Sequence, residues 1–173
     1  MVPSWKRGAI KAIGVLVAMS ILISGSAYAV RNWRNRVAQP IQFNHRKHTA
    51  QMECSACHTY YTKGAHSGLP DASICSICHE TPLTKSPEEA KLRKILADGK
   101  PLVFSKLFHL PDHVYYSHRR HAVLGKLECV RCHGGIANTE APPSQPLIKI
   151  TMDYCVQCHE KSKVTTDCKS CHR

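Results

Sequence analysis

All ten cysteines of the 173-residue chain stand in one repeated pattern, Cys-x-x-Cys-His. The copies are Cys54-Ser55-Ala56-Cys57-His58, Cys75-Ser76-Ile77-Cys78-His79, Cys129-Val130-Arg131-Cys132-His133, Cys155-Val156-Gln157-Cys158-His159 and Cys168-Lys169-Ser170-Cys171-His172. Two thiols at this spacing with a histidine directly behind the second form the attachment signature of c-type haem. The thiols become thioethers to the porphyrin, and the histidine binds the iron from the proximal side. Zinc ribbons also use Cys-x-x-Cys pairs, but they need no histidine behind every second cysteine, and five pairs leave one over. A disulfide framework leaves the five histidines without a role. The pattern therefore predicts five covalently bound haem c groups, held by Cys54, Cys57, Cys75, Cys78, Cys129, Cys132, Cys155, Cys158, Cys168 and Cys171. His58, His79, His133, His159 and His172 are the expected proximal iron ligands.

Five macrocycles set severe terms for the fold. Outside the N-terminal apolar stretch about 140 residues remain, roughly thirty per haem, too little chain for an ordinary side-chain core. Aromatic residues are scarce, at three Phe, six Tyr and two Trp. The expected fold class is a multihaem cytochrome c: mostly irregular chain with few short helices wrapped around stacked haems, plus one N-terminal transmembrane helix. The formal charge of +12 fits this picture. Each haem carries two propionates, so five would bring the net charge to about +2, with Lys and Arg as counter-charges. The basic balance needs no nucleic-acid partner to explain it, and none is expected.

Residues 1–11 carry Lys6, Arg7 and Lys11, residues 12–30 carry no charge, and Arg31, Arg34 and Arg36 follow. Nineteen uncharged residues just span a bilayer as a helix. The rival is a cleavable secretory signal, because Ala27-Tyr28-Ala29 fits the small-x-small cleavage rule. The length of the apolar run and the arginines behind it favour an uncleaved anchor. Flanking charge is nearly balanced and decides little about orientation. Covalent haem attachment implies export, so residues 1–11 are expected in the cytoplasm and 12–30 as a single pass of the inner membrane. Residues 31–173 then form the periplasmic haem domain, with Trp33 at the outer interface.

Phe43-Asn44-His45-Arg46-Lys47-His48 precedes the first motif, and Tyr116-Ser117-His118-Arg119-Arg120-His121 precedes the third. The recurrence signals an internal duplication. It divides the haem domain into a two-haem unit over 39–85 and a three-haem unit over 102–173. Between them, residues 86–99 predict a linker helix. Ser86 serves as N-cap, Glu89 closes a capping box, Leu92, Ile95 and Leu96 share a face, Glu89 pairs with Arg93, and Gly99 and Pro101 stop it. No chemistry is expected of this helix. Pro142, Pro143 and Pro146 mark an extended loop.

Seven histidines lie outside the motifs, at positions 45, 48, 66, 109, 113, 118 and 121. That supply is enough to give every iron a second axial ligand. Six-coordinate bis-His iron leaves no open position for a substrate and lies at lower potential than His/Met iron. Electron transfer is favoured over catalysis, and no Cys-x-x-Cys-Lys motif points to an open iron of a nitrite or hydroxylamine reductase. His66 sits in a Gly- and Pro-bearing loop and reads equally as a ligand or as a solvated residue.

The aromatic-x-His-x-x-His run ahead of the first motif resembles the small low-potential multihaem cytochromes of class III. The resemblance implies that His45 is the distal ligand at Cys54/Cys57 and His48 the one at Cys75/Cys78. In the second run it implies His118 at Cys129/Cys132 and His121 at Cys155/Cys158. The fifth distal ligand stays open among His109, which leads, His66, His113 and Met152. The anchor, the stretch His109-Leu110-Pro111-Asp112-His113-Val114, the second run and the five motifs together resemble a narrower family. It comprises the membrane-anchored multihaem subunits of alternative complex III and of related menaquinone reductase complexes. That resemblance implies an electron-relay subunit, without catalysis of its own, in a respiratory complex linked to the quinone pool. Iron–sulfur and integral-membrane quinone-site subunits are the implied partners, with a soluble cytochrome or other periplasmic redox protein as a further one. The rivals are a stand-alone quinol dehydrogenase and a free periplasmic shuttle. The former group often has a methionine just after a motif histidine, whereas Thr59, Glu80, Gly134, Glu160 and Arg173 follow here. The shuttle requires cleavage after Ala29.

Overall fold

The computed structural model describes residues 3–173. The chain divides into two compact units, one ending at Arg36 and the other Val37–Arg173. The first is one helix, α1, over Ser4–Arg34. At about 1.5 Å per residue it is roughly 46 Å long. Arg31 and Arg34 in its last turn suit the negative end of the helix dipole. Its stretch Ile13–Arg34 is long and apolar enough to cross a membrane. Leu16, Ile21, Leu22 and Ile23 all stand exposed, as on a helix whose whole circumference needs an apolar surround. The helix outruns the expected 12–30 at both ends. Of the expected cytoplasmic segment 1–11, Met1 and Val2 lie outside the described residues, and the remainder from Ser4 belongs to α1.

The second unit contains short helices joined by irregular chain. They are α2 (His45–Thr49), α3 (Ala72–His79), α4 (Pro87–Ala97), α5 (Val130–His133), α6 (Met152–Lys161) and α7 (Cys168–Cys171). Two 3₁₀ turns, Cys54–Ala56 and Ile136–Asn138, and a π-helical turn, Arg119–Leu124, complete the helical content. Among the described residues no strand forms, and the β-pairing is one antiparallel bridge between Val114 and His172. Caps explain where several helices begin. Asn44 accepts from the Lys47 amide at 2.9 Å, Asp71 from the Ser73 amide at 2.9 Å and Thr151 from the Tyr154 amide at 3.2 Å.

Side chains bury little. Among the described residues the buried hydrophobics are Ile41, Leu92 and Leu102, with Phe43, Ile95, Leu96 and Phe104 packed against them. Ile77, Leu83, Val103 and Val130 remain exposed. A unit of this length normally hides many apolar side chains. So thin a core fits a chain meant to fold around large apolar groups.

The helix α4 departs from expectation at its start. Ser86 is the N-cap residue but its side chain makes no capping bond. Glu89 turns away from the capping box and is buried, accepting from the Leu83 amide at 2.7 Å, the Thr84 amide at 2.7 Å and the Thr84 hydroxyl. Two backbone donors and a hydroxyl in the preceding turn outcompete the single amide that a capping box offers. Arg93 reaches the Glu80 carbonyl instead of Glu89. At the other end Gly99 adopts φ 62° and its amide bonds Leu96 O at 3.1 Å, the left-handed stop the sequence anticipates. The proline-rich loop folds back, and its Ser144 carbonyl accepts from the Val37 amide at 2.8 Å.

Candidate haem sites

Each Cys-x-x-Cys-His motif closes one helical turn. The His58, His133 and His172 amides each bond the carbonyl of their motif's first cysteine at 2.9 Å. The other two motifs lie within α3 and α6. Residues at i, i+3 and i+4 share one face of a helix, so both sulfurs and the imidazole project together. None of the ten cysteines is paired in a disulfide, and all are exposed or half-buried. Among the described residues no three His, Cys, Asp or Glu side chains converge as a zinc site requires.

Hydrogen bonds fix the histidine tautomers. The Nδ1 atoms of His48, His58, His118, His121 and His159 face the carbonyls of Asn44, Gly68, Ala65, Ser117 and Thr165 at 2.7–2.9 Å. A carbonyl only accepts, so Nδ1 carries the hydrogen and Nε2 is left with a free lone pair. His45 Nδ1 meets the Thr139 hydroxyl at 3.3 Å, whose own hydrogen goes to Ile136 O. His79 Nδ1 meets Glu89 Oε1 at 3.2 Å. Imidazoles that bind a metal through Nε2 use the same arrangement of a second partner on Nδ1.

The rings also pair. Centroids lie 6.1 Å apart for His48 and His79, 6.3 Å for His118 and His133, 6.1 Å for His121 and His159, and 5.5 Å for His113 and His172. Two imidazoles on opposite sides of one metal, each bonded at about 2 Å with its ring centre about 1 Å further on, should stand roughly 6 Å apart. His45 lies beside His58; burial first, then His58 and His48, pull its pKa down to about 4. Burial also lowers His118, despite its bond to Ala65, and lowers His133, with His118 and His58 adding to the effect. The residues present thus fit haem c: two sulfurs and one imidazole on a turn, and a second imidazole facing the first.

Aromatic side chains set these pairs. Phe43 stacks on His48 at 4.3 Å and makes a T-shaped contact with His45 at 4.8 Å. Tyr116 repeats the arrangement with His121 at 4.7 Å and His118 at 4.9 Å. Burial, then the Cys132 and Cys155 sulfurs, push the Tyr116 hydroxyl up to about 12. The aromatic of each run was visible in the sequence, but its function as a wedge between two imidazoles was not.

The fifth pair rests on backbone. The Tyr115 amide bonds Cys171 O at 2.8 Å and the Arg173 amide bonds His113 O at 3.1 Å, on either side of the Val114–His172 bridge. This short antiparallel contact brings His113 to His172. His109, expected to lead for that position, is exposed and directs Nε2 to the Lys106 carbonyl at 3.1 Å. His66 is exposed in its loop near His118, and Met152 is exposed at the start of α6. Local spacing carried no signal for His113, because its partner is fixed by a contact across some sixty residues. Glu89 was also missed as a site residue.

Neighbouring motifs are close enough to influence one another. Before haem attachment, burial raises the thiols of Cys57, Cys75, Cys129, Cys132 and Cys155, and nearby sulfurs follow as causes. Cys78 acts on Cys57, Cys54 on Cys129, Cys158 on Cys132, and Cys171 on Cys155.

Residues 26–101 match the class III cytochrome c family, and residues 114–173 match cytochrome c7 and related cytochrome c. The chain is 30% identical over 156 residues to the menaquinone reductase multihaem cytochrome c subunit of Nitratidesulfovibrio vulgaris Hildenborough, covering 77% of this chain and 74% of the relative. The chain belongs to this family of multihaem cytochromes c. It is an electron-transfer protein that carries covalently bound haem c, and its zinc and disulfide readings end here. The cytochrome also has one N-terminal helix apolar enough to serve as a membrane anchor or a signal sequence.

Proposed function

We propose that this cytochrome is a five-haem electron relay, anchored by α1 in the inner membrane with its haem domain on the periplasmic face. The observation that carries the reading is the pairing of four motif histidines, His79, His133, His159 and His172, with a second imidazole at 5.5–6.3 Å, while His58 is near enough to His45 to act on its charge. His45 serves the Cys54/Cys57 site, His48 Cys75/Cys78, His118 Cys129/Cys132, His121 Cys155/Cys158 and His113 Cys168/Cys171. Haem c supplies one-electron exchange between ferric and ferrous iron when bound. The protein's part would be to supply two histidines to each haem, which would leave no coordination position for a substrate.

Shared supports suggest the order of the five sites. Phe43 separates the distal histidines of the second and first sites. Residues 64–68 accept from Nδ1 of both His58 and His118, joining the first site to the third. Tyr116 separates the distal histidines of the third and fourth, and Tyr154 of α6 donates its hydroxyl to the Arg131 carbonyl of the third motif. Thr165, in the eight-residue link to the fifth motif, accepts from Nδ1 of His159. The spatial order is therefore second, first, third, fourth, fifth. Cys75/Cys78 and Cys168/Cys171 are its two ends.

The relative is a subunit of a menaquinone reductase, which supports a quinone-linked complex for this chain as well; iron–sulfur and integral-membrane subunits are the partners that the family resemblance implies. One helix encloses no quinone pocket, so the quinone site belongs to a polytopic partner. Intact mass measurement should show five haem additions, and electron paramagnetic resonance should show low-spin iron throughout. His113→Ala should convert one haem to high spin while His109→Ala converts none; the opposite result would reassign the fifth site. Mild-detergent purification through this chain should recover the partner subunits. Menaquinol oxidation by the isolated chain at a respiratory rate would refute the complex.

A further inference from the structure

Six of the seven histidines with a fixed Nδ1 partner face a neutral oxygen. Among the described residues His79 alone faces a carboxylate. Glu89 is 7% exposed, and Leu83 and Thr84 hold both of its oxygens. The sequence shows only a glutamate in the first turn of a helix; the fold carries it back onto α3.

We propose that Glu89 sets the reduction potential of the haem held by Cys75, Cys78 and His79. This rests on the reading of His79 and His48 as the axial pair of that haem, and it adds a residue that touches neither the iron nor the porphyrin. An ionised carboxylate accepting from Nδ1–H makes the imidazole a stronger donor through Nε2. A stronger axial donor and a buried negative charge nearby both favour ferric over ferrous iron, so the potential falls. The proton stays on Nδ1. The neutral oxygens that face the other six histidines polarise their imidazoles less, because they carry only a partial charge. The site so tuned is one end of the proposed order, where electrons enter or leave.

Thr84 works in the opposite sense. Its hydroxyl donates to Glu89 Oε2 and withdraws charge from the carboxylate that His79 meets. The two residues therefore predict shifts of opposite sign, which a general loosening of the fold would not give.

The test is a spectroelectrochemical titration of the fully haem-loaded protein. Glu89→Gln keeps the side chain's size and should raise one midpoint, by about tenfold in the reduced-to-oxidised ratio at a fixed potential; for one electron that is about 59 mV. Thr84→Val should lower the same midpoint by a smaller amount. The transition is assigned to this site by its displacement in His48→Met. Unmoved midpoints in Glu89→Gln with all haems low-spin, or a Thr84→Val shift in the same direction as Glu89→Gln, overturn the proposal. If Glu89→Gln does not accumulate with its haems, Thr84→Val decides alone: a fall supports the role and no shift overturns it. The axial pairing is judged separately, by the low-spin count of the parent protein and by whether His48→Met moves any midpoint.

Discussion

Replacing Phe43 by alanine should weaken the sites on either side of it. Phe43 is half-buried against Ile41, Leu92 and Leu102, and its ring touches both His45 and His48. A fully buried Phe→Ala change costs about 3–5 kcal/mol, so half burial suggests about 2 kcal/mol. Each aromatic contact adds roughly 0.5–1.5 kcal/mol beyond area, but such terms overlap with burial. A total of about 3 kcal/mol follows. Guanidinium unfolding of the haem-loaded protein, followed at the Soret band, should show a midpoint shift of this size. Electron paramagnetic resonance should show high-spin iron from loosened His45 or His48. Phe43→Leu keeps most of the packing and loses the ring contacts, so it should cost less than half as much. A Phe43→Ala protein with parental stability and wholly low-spin iron would show that the imidazoles are held by their Nδ1 bonds alone, and the wedge argument would fail.

Gly134 follows the third motif at φ 61°, ψ −152°, and a Cβ there would lie 3.2 Å from the Leu147 Cβ. Gly134→Ala should cost about 1–3 kcal/mol through backbone strain, seen as a lower unfolding midpoint with reduced haem yield; an unchanged midpoint would show that the turn relaxes freely. Thr151→Ala removes the cap of α6 and should cost about 1 kcal/mol, while Thr151→Ser should cost only a fraction of that. Equal loss in both would mean that the hydroxyl is not the cap.

What the sequence carried plainly was local. The motif spacing alone puts two sulfurs and an imidazole on one helical face, and the structure shows that face at every copy. The resemblance of the two histidine runs to class III cytochromes implied which motif each histidine faces, and His48, His118 and His121 lie against His79, His133 and His159. The less legible parts depend on contacts between distant segments. His113 meets His172 through a backbone bridge that no local pattern encodes, whereas His109, with the same spacing cues, turns to Lys106. Glu89 looked like a helix cap because a capping box is a four-residue pattern. Its actual partners include His79, ten residues earlier, which only the packing of α4 on α3 supplies.

The duplication suggests two modules, yet the histidine run of each half is held by the other. In the first run, Thr139 accepts from His45, its carbonyl accepts from the Arg46 amide at 3.1 Å, Thr49 donates to Ala137 O at 2.9 Å, and Arg46 pairs with Glu140 at 2.8 Å. All of these partners come from the chain between the third and fourth motifs. In the second run, Ala65 accepts from both the amide and Nδ1 of His118, and Gly64 accepts from the Arg119 amide and the Ser117 hydroxyl. Those partners come from the chain between the first and second motifs. Each half alone would keep its aromatic wedge and lose the groups that fix the first histidine of its run. The Cys54–Cys129 proximity places the first and third sites at this same seam. The contacts that orient the first histidine of each run are thus the contacts that join the halves. A single body, Val37–Arg173, is what this exchange produces. It also explains how two sequence segments that match two different cytochrome families form one body.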